Sequence, residues 1–167
     1  AAFSSAVFGL TPNSTYYAGV IARDAGGNVT REVYIGSTVT AAAVPQSPSF
    51  PTVVTTGLSV EWSTAGNPSG TRYEAQLAAA SSFGTLAAST VTTSSGTAFS
   101  GLLSATTYYL RVRALNRLGT PTGFSATTSA FLDAVDLAQY IKQRQPQIKI
   151  VFGNVHVSSI GAPLLAQ

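Results

Sequence analysis

Side chains able to do acid–base, nucleophilic or metal chemistry are few and scattered along these 167 residues. Glu61 and Glu74 are the only carboxylates between residues 52 and 130, and a hydrolytic pair would have to stand about 5 to 9 Å apart. Both follow or precede an aromatic residue in an alternating stretch, so if Trp62 and Tyr73 point inward, Glu61 and Glu74 point outward. His156 is the single histidine, with no acid close to it in sequence and no cysteine anywhere. One imidazole makes neither a triad nor a metal cluster. Trp62 could stack on a sugar, but its place beside Val60 in a strand pattern assigns it to a core. No catalytic, cofactor-binding or metal-ligating residue is therefore assigned, and the chain reads as a non-enzyme.

Composition points the same way. The chain is 45% hydrophobic and only 9% charged, against about 25% charged residues in ordinary domains. Abundant Ser, Thr, Ala, Gly and Val at low charge suit β-strands and solvated hydroxyl faces, and suggest an extracellular or cell-surface setting. The absence of cysteine rules out disulfides. A net charge of +3 is spread without any Lys/Arg block, so nucleic acid is not an expected partner. No apolar run reaches about 18 residues, so no membrane-spanning helix is expected. Methionine is missing even from position 1, and the chain is expected to be a processed product or a fragment of a longer one.

The elements that would position any site are organised by an internal repeat. Gly9 to Arg23 and Gly101 to Leu115 superpose without a gap, placing Gly9 on Gly101, Leu10 on Leu102, Tyr16 on Tyr108, Val20 on Val112 and Ala22 on Ala114. After each tyrosine, small and apolar residues alternate with the period of a strand buried on one face. In residues 1–43 the pattern predicts a short strand ending near Phe8, the repeat strand from Tyr16, a turn at Asp24 to Asn28, and a return strand through Val33 and Ile35. Three strands cannot close a sandwich, so the apolar row Tyr16, Val20, Val33 or Tyr34, and Ile35 should need a cover from upstream residues or a neighbouring chain. Residues 44–51, rich in proline, read as a stiff linker. Seven strands are expected in 52–130, near Thr52 to Thr55, Leu58 to Ser63, Arg72 to Ala79, Leu86 to Thr92, Thr97 to Leu102, Thr107 to Leu115 and Gly123 to Ser129. That density of short strands predicts an all-β, immunoglobulin-like sandwich.

The pattern Leu102-x-x-x-Thr106-x-Tyr108-x-Leu110-x-Val112-x-Ala114 resembles the fibronectin type III signature before and along its strand F. The stretch Leu10-x-Pro12-x-Ser14-x-Tyr16-x-x-x-Val20-x-Ala22 resembles it again, with the family's proline that Ser104 replaces in the second copy. The resemblance covers one complete domain and, in 1–43, the C-terminal half of another. It implies that Tyr108 is a corner residue tied back to upstream backbone, that Trp62 is the core tryptophan of strand B, and that Glu61 and Glu74 lie on opposite sheets. It also implies that Glu74 and Gln76, on strand C, neighbour the outward Tyr109, Arg111 and Arg113 of strand F. Those three make the candidate contact face. Glu74 would pair with Arg111 or Arg113, or the face would form a Tyr/Arg platform for an acidic glycan or a protein partner.

Two N-glycosylation triplets start at Asn13 and Asn28, while Asn67-Pro68-Ser69 is excluded by its proline. From Phe131 a tail (131–167) is expected to hold a helix from Asp133 to about Gln145, ended by Pro146, and a strand Ile148 to Phe152. The helix, the strand and the segment Phe152 to His156 resemble one αβ unit of the cobalamin-binding domains attached to radical enzymes. A lone unit cannot hold a corrinoid, and no cofactor is expected. The expected function is a non-catalytic extracellular spacer or adhesion module of tandem fibronectin type III-like domains, its partners being other domains of a longer chain or copies of itself. The alternatives are a filament subunit completed by strand exchange and a glycan-binding accessory module of a polysaccharide-degrading enzyme.

Overall fold

The computed structural model describes residues 5–132 together with 142, 144–147 and 149. Among the described residues nine strands follow one another: β1 Thr15–Val20, β2 Val33–Val39, β3 Gln46–Val54, β4 Gly57–Ser63, β5 Arg72–Ala78, β6 Ala88–Thr92, β7 Gly96–Ser100, β8 Thr106–Leu115 and β9 Thr128–Leu132. The last seven form an immunoglobulin-like sandwich of two antiparallel sheets, ordered β3-β4-β7 and β6-β5-β8-β9. Compact units divide after Asp133.

Alternation builds this core. The inward residues Leu58, Val60 and Trp62 of β4 and Phe99 of β7 face Tyr73, Ala75 and Leu77 of β5 and Tyr108, Leu110, Val112 and Ala114 of β8, all buried in one cluster. Trp62 and Tyr73 meet across the two layers with ring centroids 5.7 Å apart in a tilted pair, a geometry favoured by the aromatic quadrupole. Glu61 and Glu74 therefore stand on different sheets.

Several boundaries differ from expectation. The strand that opens the sandwich starts at Gln46, inside the segment taken as linker. β3 is an edge strand with register shifts on either side of Ser49, and an edge tolerates Pro48 and Pro51 because it need not donate every ladder bond. β6 begins at Ala88 rather than Leu86, whose surroundings lack large apolar residues to hold a longer strand. The last strand runs Thr128–Leu132, later than expected, and Leu132 is fully buried. Upstream of it, the Thr122 and Ser125 hydroxyls accept bonds from the Ala114 and Val112 amides, standing in for strand carbonyls. Among the described residues 5–8 there is no strand where one was expected to end near Phe8. The expected helix, apart from Lys142, Arg144 and Gln145, lies outside the described residues, as do His156 and all of the expected tail strand except Lys149.

The repeat in sequence is a repeat in geometry. Pairs Thr15↔Val39, Tyr16↔Thr38, Tyr17↔Ser37 and Ala18↔Gly36 join β1 to β2. β8 and β9 pair as Thr107↔Phe131, Tyr108↔Ala130, Tyr109↔Ser129 and Leu110↔Thr128, which is the same register moved along the chain by the same spacing. The corner before each strand is copied too. The Tyr16 hydroxyl accepts from the Thr11 amide at 2.8 Å and the Tyr108 hydroxyl from the Leu103 amide at 3.0 Å. Gly9 and Gly101 share a positive φ of 74° and 71°, which only glycine adopts freely. Burial is not copied, for Leu110 and Val112 are fully enclosed while Val20 is 51% exposed.

Removing the Tyr108 hydroxyl leaves the Leu103 amide without its partner in partly buried surroundings. Tyr108→Phe should lower stability by about 1 kcal/mol. Tyr16→Phe, at an exposed corner, should cost less. Urea unfolding followed by the fluorescence of the single tryptophan, Trp62, compares the two.

Candidate functional site

β8 is held between β5 and β9, which sets the spacing of its outward residues. Arg113 lies opposite Glu74, Arg111 opposite Gln76 and Tyr109 opposite Ala78. Of the two pairings open to Glu74, the register selects Arg113, whose Nε and Nη2 both reach Glu74 Oε2 at 2.7 Å. Gln76 bridges the row, donating from Nε2 to Glu74 Oε1 at 2.6 Å and accepting from Arg111 Nε at 2.9 Å. Burial pushes the Glu74 carboxyl up, but hydrogen bonds from Gln76 and Arg113 and the charges of both arginines outweigh it and hold the group below its ordinary value.

Two phenylalanines complete this face, and neither lies within an observed strand. The Arg111 guanidinium lies 4.2 Å from the Phe83 ring centre and 4.0 Å from that of Phe124, and Arg113 lies 4.7 Å from Phe124. Phe83 adopts a φ of 53°, costly for a bulky side chain, in a turn closed by its amide on the Ala80 carbonyl. Stacked cations of this kind contribute about 0.5 to 2 kcal/mol each. The face is thus a ladder of rings and guanidinium planes in which Glu74, Gln76, Arg111 and Arg113 engage one another. Tyr109 stands at its β9 side, paired with Ser129.

The two asparagines of the glycosylation triplets sit in opposite settings. Asn28 is exposed in the turn, where its amide and Nδ2 donate to the Asp24 carboxylate at 2.8 Å each. Those bonds, the side-chain one first, hold Asp24 below the ordinary aspartate range. Asn13 is 3% exposed. Its Nδ2, the atom that would carry a sugar, donates to Thr71 Oγ1 at 2.8 Å, and its Oδ1 accepts from the Arg117 amide at 2.7 Å. In the folded chain both ends of the Asn13 carboxamide are engaged by these contacts.

Among the described residues no three His, Cys, Asp or Glu side chains converge as metal ligands, and no helix is long and apolar enough to cross a membrane. A shallow recess where β3, β4 and β7 end is lined by Thr52, Val54, Leu58 and Phe99 among others, none of them titratable.

The fibronectin type III domain profile matches residues 43–131, more than half of the chain. The chain belongs to the fibronectin type III family. Solved structures similar to it include the fibronectin type III domain of human fibronectin type III domain containing protein 3, 23% identical over 55% of this chain and 86% of that one, with a TM-score of 0.48. Others are the d3–d4 extracellular region of rat CD45, at 18% identity, 77% and 70% coverage and a TM-score of 0.47, and the chicken CNTN1 FN1–FN3 domains, at 19%, 74%, 42% and 0.48. No curated protein matches. In this fibronectin type III domain Trp62 and Tyr108 take the places the resemblance implied, while the likeness of the tail to a cobalamin-binding unit falls largely on residues outside those described.

Because the Glu74 carboxyl is depressed in the folded state, its contribution is present above its unfolded value near 4.5 and is lost as pH falls through the folded value. Glu74→Gln should therefore cost about 1 kcal/mol at neutral pH, the pair being partly exposed. The difference from wild type should vanish in acid. Denaturation midpoints of both proteins across pH 2 to 7 check this.

Proposed function

We propose that the chain is a non-catalytic spacer or adhesion module of an extracellular or cell-surface protein, in which residues 1–43 are the C-terminal half of one fibronectin type III-like domain and residues from about 43 to 132 form the next. The observation that carries this reading is the second strand pair with the same register and the same tyrosine corner. Supporting it, Glu74, Gln76, Arg111 and Arg113 on the outward face of β5 and β8 engage one another and the rings of Phe83 and Phe124. The contact face of Tyr109, Arg111 and Arg113 is a surface for a protein or acidic glycan that stacks on guanidinium planes and does not need a free cation.

A second reading follows from the bare strand pair. Tyr17, Val20, Ile21, Val33, Tyr34 and Ile35 are each more than half exposed, and Val20 stands where Val112 is sealed by the opposite sheet. A β-sheet with an open edge and apolar surface recruits strands. In that reading neighbouring copies complete the first sandwich and the protein is a filament subunit.

Light scattering behind a sizing column, over about a hundredfold dilution, separates the two because only association depends on concentration. The spacer reading expects a monomer at every concentration. Oligomers or fibres that grow with concentration overturn it in favour of strand completion between copies.

A further inference from the structure

The junction between the repeated strand pair and the sandwich is made of buried polar groups. Asn13 lies in the corner before β1 with a left-handed φ of 47°, a conformation that asparagine tolerates well. Its carboxamide spans to the sandwich, Nδ2 to Thr71 Oγ1 at 2.8 Å and Oδ1 to the Arg117 amide at 2.7 Å, while Arg117 Nε reaches the Asn13 carbonyl at 3.1 Å. Thr71 in turn donates to the Pro68 carbonyl at 2.7 Å, which leaves its oxygen aimed at Asn13 as an acceptor. Asn13, Asn67 and Thr71 are each less than a tenth exposed.

The connecting segment has no slack. The Asn13 amide donates to the Ala41 carbonyl at 3.0 Å, which ties the segment to the first corner. Two residues on, the Asn67 carboxamide takes the Ala43 amide at 2.7 Å and gives to the Ala43 carbonyl at 2.8 Å, which ties it to the sandwich. Pro45 is fully buried and Ala42 packs against the core. A flexible connection would leave these backbone groups to water.

The corresponding corner of the sandwich isolates what is special here. Ala105 repeats the position and the backbone of Asn13, with φ of 52°, but has no carboxamide. The corner fold itself therefore does not require asparagine; the contact across the junction does.

We propose that Asn13, Asn67, Thr71 and Arg117 form a clasp that fixes the orientation of the β1–β2 unit on the following fibronectin type III domain, so that the chain acts as a rigid strut instead of a hinge. This inference stands on the junction contacts and holds for either reading of function. Backbone ¹⁵N relaxation on the full chain tests it. In wild type, residues 15–39 should tumble with residues 46–132 as one body, with order parameters about 0.85 in both. In the double variant Asn13→Ala, Asn67→Ala the β1–β2 amides should keep their hairpin shifts but drop below about 0.6 relative to the sandwich frame. Asn28→Ala, in the exposed turn, should leave the tumbling unchanged. Independent tumbling in wild type overturns the proposal, as does a double variant that still moves as one body. A double variant that loses the hairpin shifts overturns it as well, because the contacts would then serve folding and not orientation.

Discussion

The enclosure of the inward row of β8 is the constraint on which the rest of the sandwich depends. Tyr108, Leu110, Val112 and Ala114 can leave water only if a second sheet lies over them, and β4 and β7 supply it through Leu58, Val60, Trp62 and Phe99. Because the side-chain period of a strand is two, burying that row commits Tyr109, Arg111 and Arg113 to the opposite face. A slip by one residue would drive two arginines into an apolar interior, at a cost far above any pairing gain. The register of β5 and β9 against β8 follows, and with it the pairing of Glu74 with Arg113.

The strand pair β1–β2 shows what local chemistry achieves without that enclosure. It has the same corner hydrogen bond, the same left-handed positions and the same register as β8–β9. Hairpin geometry is therefore encoded locally, by a tyrosine hydroxyl, a glycine and the turn at Asp24–Asn28. Burial is not encoded locally: the apolar residues of β1–β2 remain wet because no described residue lies over them. That contrast between two copies of one motif is the physical basis for treating the first as part of a larger sandwich.

The outward face and the junction solve similar problems by different means. On the face, Arg111 and Arg113 lose freedom to ring stacking and to Gln76 and Glu74, which leaves planar, weakly hydrated surfaces in place of mobile charges. At the junction, carboxamides satisfy backbone groups that burial would otherwise leave unpaired. In each case polar groups specify geometry more than they add net stability, since each hydrogen bond exchanges one with water.

By itself the sequence determined the sandwich, the core tryptophan and which residues of β8 face outward, because period-two alternation and turn chemistry are short-range signals; the corner role of Tyr108 came with the resemblance to the fibronectin type III signature. The same resemblance implied that Glu61 and Glu74 lie on different sheets, as they do. Edges were harder to read: β3 hides behind prolines that only an unpaired edge permits, and β9 starts late because hydroxyls of Thr122 and Ser125 replace its ladder. Tertiary structure alone decided that Glu74 takes Arg113 and that Arg111 lies over the rings of both Phe83 and Phe124. It alone turned Asn13 from a surface triplet into a buried link to Thr71 and Arg117. These contacts join residues far apart in the chain through loops without periodicity, so nothing in the local pattern of either partner announces the other.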